Sequence, residues 1–332
     1  MTGDRRLATD SQTRSVLTIG TFDGVHVGHV ALVARARAIA SESAARVVAL
    51  AFDPHPITRL RPAEAPPRLT SFARKRELLM RAGADEVVRL DPFDGLLEMG
   101  PGAFVEGLRA RYGPVAIVEG TDFRFGKGRV GDIETLRSLA SGIGAVVEIV
   151  DPVEVALSDA TTLAASSTCA RRLLLSGRAA DAARVLGRPH RLTGTVVRGD
   201  RRGRTIGYPT ANIETDAMLP ADGVYGARAI LPDGRVLGAA LSIGTKPTFT
   251  DAPTRACEAY LLDAPRASGE DPRISGLDEY NWELSLDVVG WVREQVRFHT
   301  LASLLEQMAR DCEKIRAMLR AIERVNHAEV VA

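Results

Sequence analysis

Residues 15–150 alternate between short apolar runs and stretches in which apolar residues recur every three or four positions. The short runs predict strands, and the periodic stretches predict helices. Because the two alternate, this half of the chain is predicted to form a parallel sheet with helices on both faces. Such a sheet binds ligands beyond the carboxyl ends of its strands. The predicted strands are 15–19, 46–52, 86–90, 115–119 and 145–150, and the predicted helices are 29–41, 71–82, 101–112 and 132–141.

Two further helical stretches, 166–176 and 179–186, precede a change of rhythm at the Gly-Arg-Pro sequence of residues 187–189. Beyond it, β-rich runs separated by Gly, Pro and Asp predict a small antiparallel barrel or sandwich. Residues 264–279 are predicted to form a polar surface loop, and 301–323 an amphipathic helix whose apolar stripe packs against the domain. The β-rich runs are 192–197, 225–230, 235–243, 257–262 and 283–292.

The length of 332 residues predicts two domains at about 150 residues each. We expect a disordered segment at 1–14, one domain at 15–186 and a second at 187–332. Hydrophobic residues make up 45% and charged residues 26% of the chain, which is typical of globular proteins. The net charge of +1 gives no electrostatic argument for a nucleic-acid or membrane partner, and self-association stays open.

The sequence contains no apolar run of the roughly 18 residues that cross a bilayer, and residues 1–14 lack the apolar core of a signal peptide. Cys169, Cys257 and Cys312 are far apart and odd in number. They therefore fit neither a metal-ligand pattern nor a disulfide framework. We expect a protein of the reducing cytoplasm.

The first predicted strand ends in GTFDGVHVGH, residues 20–29, and continues directly into a helix. Gly20 and Gly24 permit a tight turn, and the start of the helix offers N–H groups to an anion. His26 and His29 can both point at one phosphate group and stabilise charge during its transfer. The alternative is a pair of histidines that only caps or packs the helix. The chain has no Walker phosphate-binding loop, which disfavours an ATPase of that type.

This motif resembles the signature of the nucleotidyltransferase superfamily, in which the histidines serve the phosphates without a covalent enzyme intermediate. Three more segments follow: FDPHP at 52–56, GTDFRFG at 120–126 and SSTCAR at 166–171. An aromatic ring and prolines can wall a flat pocket, and hydroxyls with a guanidinium can reach triphosphate oxygens. In this order, the segments resemble the adenylyltransferase half of bifunctional riboflavin kinase/FAD synthetases over 15–186. Ala170 departs from the larger aliphatic residue expected there.

The resemblance implies roles for individual residues. His26 and His29 would be catalytic. The residues implied to bind ATP are Gly20, Phe22, Asp23, Gly28, Ser167, Thr168 and Arg171, and those implied to bind flavin are Phe52, Pro54, His55, Asp122 and Phe123.

A second motif, GTVVRGDRRGRTIGYPTAN, occupies residues 194–212. Its glycines allow a loop to fold closely over phosphates, and its arginines suit their negative charge. On an extended segment, Thr210 and Asn212 point to one face. Their hydroxyl and amide oxygens suit Mg²⁺ that is also held by ATP phosphates. The alternative is a glycine-rich hairpin with a basic tip.

The second motif resembles the flavokinase signature, and the resemblance covers about residues 190–322. It implies a six-stranded antiparallel barrel with a terminal helix and a catalytic carboxylate on a later strand. Glu258 occupies the matching place and can accept the proton of an attacking hydroxyl. Residues 243–249, IGTKPTF, resemble a family motif at the rim of the site. The residues implied to bind ATP are Gly199, Gly203, Arg204, Gly207, Tyr208 and Pro209, and the implied Mg²⁺ ligands are Thr210 and Asn212.

Both resemblances together imply an enzyme that phosphorylates riboflavin to FMN and then adenylylates FMN to FAD, with ATP and Mg²⁺ in each step. The 264–279 insertion and Tyr280-Asn281-Trp282, in place of the usual Leu-Tyr-Gly, depart from the family where it binds flavin and nucleotide. Two alternatives remain at this point. One is another nucleotidyltransferase, for cytidylyl or pantetheine-phosphate substrates, fused to an unrelated barrel. The other is a non-catalytic flavin-binding regulator.

Overall fold

The computed structural model describes residues 14–246, 254–265 and 273–331. By its packing, the chain divides into two compact units. The first contains the described part of Met1–Val155 together with Thr162–Ser167, and the second contains Ala156–Thr161 and the described part of Thr168–Ala332. The segment predicted to be disordered lies outside the described residues, apart from Arg14.

The first unit is built on a parallel sheet of five strands in the order β3-β2-β1-β4-β5, which confirms the predicted fold. A two-stranded sheet, β6-β7, follows it. The elements are β1 (Ser15–Gly20), α1 (Val27–Ser43), β2 (Arg46–Phe52), α2 (Ile57–Leu60), α3 (Phe72–Arg81), β3 (Glu86–Leu90), α4 (Pro101–Tyr112), β4 (Pro114–Gly120), α5 (Ile133–Gly142), β5 (Val146–Val150), β6 (Glu154–Ala156) and β7 (Thr162–Ala164).

Both faces of this sheet are buried. Val16 and Leu17 are adjacent in β1, yet each is fully buried in a different core cluster, because successive side chains of a strand point to opposite faces. Helices α1 and α3 supply one cluster, and helices α4 and α5 supply the other. Each fully buried aliphatic side chain stabilises the fold by roughly 1.5–3 kcal/mol. A sheet covered on both faces in this way binds ligands at the carboxyl ends of its strands.

The second unit is a closed antiparallel barrel with the strand order β10-β11-β12-β9-β8-β13, as predicted. Strand β9, which the sequence indicated only as an extended segment, pairs with both β8 and β12. The elements are α6 (Ser167–Leu175), α7 (Ala179–Leu186), β8 (His190–Val197), α8 (Arg202–Thr205), β9 (Thr210–Glu214), β10 (Gly223–Ile230), β11 (Val236–Lys246), β12 (Thr254–Leu261), β13 (Glu283–Arg293) and α9 (Leu301–Val331).

Helix α9 packs against the outside of the barrel and extends beyond its predicted end at Glu323. Cys312, Ile315 and Leu319 form the buried part of its apolar stripe. Glycines let the helix approach the strands closely: a Cβ atom on Gly290 would lie 3.0 Å from the sulfur of Met318. The predicted packing face is therefore confirmed, although Leu301 at its start is 55% exposed.

The 264–279 segment is more buried at its two ends than the predicted surface loop. Residues 266–272 lie outside the described part, but Ile274 is 7% exposed and belongs to the barrel core. Ala264 and Leu277 also pack against that core. Apolar residues at both ends thus anchor the segment to the barrel. Residues 247–249 of the predicted rim motif lie outside the described residues.

Helices α6 and α7 pack with the barrel, whereas the boundary expected at residue 187 grouped them with the sheet. Ala179 belongs to the barrel core, and the N–H of Ala221 donates to the carbonyl of Leu174 at 2.9 Å. Gly177 lies so close to Trp291 that a Cβ atom would be 2.9 Å from the ring. Periodicity predicts that a helix is amphipathic, but not which core it covers. The division of function near residue 187 stays a prediction.

This packing predicts that a fragment of residues 168–332 is markedly more stable than one of residues 187–332. The shorter fragment loses the four buried apolar side chains of α7, Ala179, Ala182, Val185 and Leu186. Their loss removes several kcal/mol of burial energy, so we expect an insoluble fragment or a melting midpoint lower by about 10 °C. Thermal melts followed by circular dichroism measure this. Equal midpoints would mean that α6 and α7 contribute nothing to the barrel.

Candidate functional sites

Three of the predicted segments meet at one edge of the parallel sheet. Gly20 ends β1, Phe52 ends β2 and Gly120 ends β4. The strand order reverses direction between β1 and β4, which are neighbours but not consecutive. A sheet of this topology has its ligand crevice at this reversal, outside the carboxyl ends of the strands. The predicted ligand side is therefore assembled from segments that are remote in sequence.

A buried turn carries the chain from β1 into α1. Phe22 and Val25 are each 1% exposed and have positive φ angles of 47° and 39°. The N–H of Val25 donates to the carbonyl of Phe22 at 3.1 Å. His26 then has an extended conformation at the N-cap of α1. The helix therefore begins at the ligand edge, where its N–H groups and positive dipole end favour an anion.

The two predicted catalytic histidines form a stacked pair at the start of α1. Their ring centroids lie 3.6 Å apart, and the edge of His29 contacts Phe22 at a centroid distance of 5.1 Å. Gly28 makes room for the pair, because a Cβ atom there would lie 3.1 Å from the His26 ring. Two imidazoles in this position can act on one phosphate group.

The carboxylate of Asp23 holds a neighbouring loop rather than projecting into solvent. It accepts hydrogen bonds from the N–H groups of Leu69 at 3.0 Å and Thr70 at 3.1 Å, and Asp23 is only 6% exposed. Its carbonyl accepts from the hydroxyl of Ser167 at 2.7 Å. Asp23 and Ser167 thus position the glycine turn.

Besides Ser167, two residues of helix α6 are implied to bind ATP, and both lie in the second compact unit. Thr168 and Arg171 are in the first turns of α6, and Arg171 is 9% exposed. Their role in ATP binding stays a prediction. Ala170, the departure from the family pattern, is fully buried, as expected of a position that serves packing.

A cluster of cations around Asp53 was not predicted from the sequence. Asp53 is 4% exposed and contacts Arg68 at 2.8 Å, Arg89 at 3.0 Å and Lys75 at 3.8 Å. Lys75 also donates to the carbonyl of Phe52 at 2.7 Å. Burial lowers the pKa of Lys75, and the charge of Asp53 opposes that shift. Three cations around one carboxylate leave a positive surplus beside the FDPHP segment.

The sequence contains one signal for this cluster. Lys75 lies three and four residues before Leu78 and Leu79, and all three side chains are buried on the same face of α3. A lysine in an apolar stripe needs a partner, because burying an unpaired charge is costly. That position predicts a buried ion pair, although not its partner.

The remaining residues implied to bind flavin lie at the ends of β2 and β4. Nδ1 of His55 accepts a hydrogen bond from the N–H of Ile57 at 3.2 Å. Phe123 stacks on Phe125 at a centroid distance of 5.7 Å, and Asp122 is exposed next to it. Phe52, Pro54 and Phe123 are all partly exposed, so apolar and aromatic surface is available at this edge.

Glu119 is a buried carboxyl group at the strand reversal, and sequence analysis did not single it out. The ladder between β1 and β4 ends at Leu17–Ile117, and Oε1 of Glu119 then accepts the N–H of Ile19 at 2.7 Å. Burial raises the pKa of Glu119 well above its ordinary value, the bond from Ile19 opposes the shift, and Asp122 adds to it. The carboxyl group therefore joins the two strands where their backbones separate.

Glu119→Gln should make the first unit more stable than the wild type as the pH rises. Because the folded-state pKa of Glu119 is raised, its protonation stabilises the folded protein. This stabilisation is fully present below the unfolded-state pKa and is lost as the pH rises through the folded-state pKa. Gln stays neutral, so its advantage should grow from pH 4.5 upward, by about 1.4 kcal/mol per pH unit until the folded-state pKa. Calorimetry from about pH 5 to about pH 9 measures it. Exposed Glu154→Gln is the control; a pH-independent difference would contradict the raised pKa.

In the second unit, strand register brings the predicted metal ligands and the predicted base together. Glu258 of β12 pairs with Asn212 of β9, and Tyr260 pairs with Thr210. Residues directly opposite in an antiparallel pair share a face, so these four side chains lie on the same side of the barrel wall. The hydroxyl of Thr210 lies 3.4 Å from Oε2 of Glu258.

The glycines of the second motif allow close contacts that no other residue permits. A Cβ atom on Gly199 would overlap the amide of Asn212, and one on Gly203 would overlap the carbonyl of Tyr208. Gly207 has a φ angle of 83°. The loop therefore folds back onto β9, and its predicted closure over phosphates stays a prediction. Its surroundings form a cleft lined by Gly199, Arg201, Arg204, Pro209, Thr210 and Asn212, among others.

A separate cavity of about 460 Å³ lies beside α9. Tyr208 and Tyr260 form part of its wall, with ring centroids 4.9 Å apart. Tyr260 is two residues from Glu258 on the same face of β12, while Thr210 and Asn212 line the first cleft. The predicted base and metal ligands therefore lie between the cleft of the glycine-rich loop and the cavity beside α9. Residues of α9 complete the cavity: Ala309, Arg310, Cys312, Glu313 and Arg316.

Two negative findings concern the part of the chain that the structure describes. None of its helices is both long and apolar enough to cross a membrane. Its His, Cys, Asp and Glu side chains form no group of three or more that could hold a metal ion.

Family models match both units. A model described as FAD synthetase matches residues 8–162, and one described as riboflavin kinase matches residues 186–319. The bifunctional riboflavin kinase/FMN adenylyltransferase of Listeria monocytogenes is 32% identical over 322 residues, 96% of this chain and 97% of that protein. The protein of the same name from Escherichia coli K12 is 32% identical over 93% of this chain and 94% of its own length.

A third relative of that name, from Pseudomonas fluorescens, is 33% identical over 91% of this chain and 92% of its own length. Among solved structures, one described as a macrolide-efflux protein from Streptococcus pneumoniae superimposes with a TM-score of 0.80 at 28% identity. The superposition covers 92% of this chain and 94% of that one. The similarity therefore includes the sheet, the barrel and the terminal helix.

Proposed function

Because this chain belongs to the family of bifunctional riboflavin kinase/FMN adenylyltransferases, we propose how its side chains share the two reactions. The protein phosphorylates riboflavin to FMN and adenylylates FMN to FAD, with ATP as the donor in both steps. In our proposal the first unit carries out adenylyl transfer and the barrel carries out phosphorylation, and the two matched regions support this division. The alternatives of another nucleotidyltransferase or a non-catalytic regulator are therefore set aside.

The stacked histidine pair carries the proposal for the first unit. A phosphate oxygen of FMN attacks the α-phosphorus of ATP, and the bond to the leaving pyrophosphate breaks. His26 and His29, at the positive end of α1, stabilise the charge that develops on the phosphates. The surplus positive charge of Arg68, Lys75 and Arg89 beside Phe52 supports binding of an anionic flavin at the same sheet edge.

The proximity of Glu258 to Thr210 carries the proposal for the barrel. The ribityl hydroxyl of riboflavin attacks the γ-phosphorus of ATP, Glu258 accepts the hydroxyl proton, and ADP leaves. The glycine-rich loop covers the nucleotide in the first cleft. The cavity beside Tyr208 and Tyr260 receives the flavin ring, since its volume falls within the roughly 300–1,000 Å³ of small-molecule pockets.

Magnesium fits the residues of the barrel site. Thr210 and Asn212 offer a hydroxyl and an amide carbonyl next to the Glu258 carboxylate, an all-oxygen set of the kind that Mg²⁺ prefers. When bound, the ion neutralises charge on the ATP phosphates. The residues themselves position the nucleotide against the base.

Chelation should therefore abolish phosphorylation of riboflavin. Excess EDTA removes the ion, and added Mg²⁺ should restore the rate, whereas Zn²⁺ should not, because the site lacks nitrogen and sulfur ligands. Chromatography of the flavins after incubation with riboflavin and ATP measures the rate. Undiminished FMN formation in EDTA would refute the assignment of Thr210 and Asn212.

Single substitutions should separate the two reactions. His29→Ala removes a donor at the phosphates, so FAD formation should fall about 100- to 1,000-fold while FMN accumulates. Glu258→Gln removes the base, so FMN formation should fall roughly 100- to 10,000-fold while supplied FMN is still converted to FAD.

The matched controls are His299→Ala and Glu323→Gln, which change exposed side chains. Both should retain wild-type rates. Circular dichroism establishes that each variant is folded. Loss of both activities in either folded active-site variant would disprove two separate sites.

We also propose that the protein works in the cytoplasm. None of its three cysteines forms a disulfide, which suits a reducing compartment. Self-association stays a prediction, which sedimentation of the purified protein can test.

A further inference from the structure

One acidic side chain contacts the basic residues of the glycine-rich loop. Glu279 forms an ion pair with Arg204, and it lies 3.5 Å from Arg201. The hydroxyl of Tyr280 donates to the same oxygen of Glu279 at 2.9 Å. One carboxylate oxygen therefore receives both arginines and a tyrosine.

Tyr280 ties the loop to the same point. Its hydroxyl accepts hydrogen bonds from Arg201 and from Arg204, each at 3.1 Å, and the Arg201 guanidinium lies 5.7 Å from the centre of its ring. The backbone of Arg201 has a φ angle of 60°, a conformation that residues other than glycine rarely adopt. The loop is thus held in a specific conformation by contacts with Glu279 and Tyr280.

The contact occupies the cleft assigned to the nucleotide. Arg201, Arg204, Glu279 and Tyr280 all line it, together with Thr210 and Asn212. Arginine binds carboxylate and phosphate oxygens with the same fork of N–H groups. Hydrogen bonds from Arg204 and Tyr280 lower the pKa of Glu279, so the group is ionised at neutral pH. A carboxylate therefore stands where the loop would receive the phosphates of ATP.

We propose that Glu279 competes with the triphosphate of ATP for Arg201 and Arg204 and so weakens the apparent affinity of the kinase site for ATP. The inference rests on the proposed function of the barrel. Binding of ATP exchanges the Glu279 oxygen for phosphate oxygens on the arginines, and it releases Tyr280 from the loop. Glu279 acts on affinity and not on the phosphoryl transfer itself, which Glu258 serves.

This competition predicts a change in KM without a change in kcat. Glu279, Arg201 and Arg204 have side chains that are 33%, 41% and 29% exposed, so the ion pairs are of the modest, solvent-screened kind. Glu279→Gln should therefore lower the KM for ATP in riboflavin phosphorylation by about 2- to 5-fold at unchanged kcat. Glu279→Asp keeps the charge, so its KM should stay closer to the wild-type value.

The experiment uses the full chain with saturating riboflavin and Mg²⁺ and varies ATP. The initial rate is the sum of FMN and FAD, because the first unit consumes part of the FMN. Conversion of supplied FMN to FAD by the same variant is the internal control, and its KM for ATP should not change. Glu323→Gln, the same substitution at an exposed position of α9, should leave both KM values unchanged.

The outcomes separate this inference from the function on which it rests. An unchanged or higher KM for ATP in Glu279→Gln would overturn the competition, and a higher KM would mean that Glu279 orients the arginines for ATP. A fall of equal size in Glu323→Gln would also overturn it, because net charge alone would then explain the effect. Absence of FMN formation by the wild type would instead reject the assigned kinase function.

Discussion

Strand pairing sets the position of the candidate catalytic side chains in both units. In the first unit, parallel β1, β2 and β4 end at one edge, so the turns that follow them share a ligand crevice. In the second, antiparallel pairing of β9 and β12 puts Glu258 opposite Asn212 and next to Thr210. A shift of one residue in that pairing would turn Glu258 into the barrel interior and separate the base from the metal ligands.

Buried charges complete the first site, and each is matched to a defined partner. Asp23 accepts from backbone N–H groups of the loop at Leu69 and Thr70, while Asp53 lies among three cations. Because Arg68 immediately precedes Leu69, one short segment contacts both carboxylates. A buried charge without such partners would be costly, so these contacts restrict the loops to one arrangement. The geometry of the turn at His26 depends on that restriction.

The two units use arginine in different surroundings. In the first, Arg68 and Arg89 serve a single buried carboxylate and retain excess positive charge. In the barrel, Arg201 and Arg204 share the partly exposed Glu279, which must be displaced before another anion binds them. In the first arrangement, the excess positive charge is available to an anionic substrate at all times. In the second, an anion binds the arginines only by displacing Glu279. The overall charge of +1 conceals this difference.

Local pattern alone determined the elements and the chemistry at their ends. The bounds of β2, β3, α4 and α7 agree with prediction, because the periodicity of a strand or helix is a property of neighbouring residues. The glycine turns and the histidine pair could be recognised for the same reason. Resemblance to known families added Glu258, whose position on a strand gives no signal by itself.

Only the tertiary structure decided which residues that are distant in the sequence contact one another. Glu119 meets Ile19 across 100 positions, and the cations around Asp53 come from a loop, from α3 and from β3. The contact between Glu279 and Arg204 likewise joins segments 75 residues apart. Helices α6 and α7 pack on the barrel, although their apolar periodicity does not say which core they cover. Periodicity specifies which face of an element is buried, but the partner of that face, or of a buried charge, depends on how the whole chain folds.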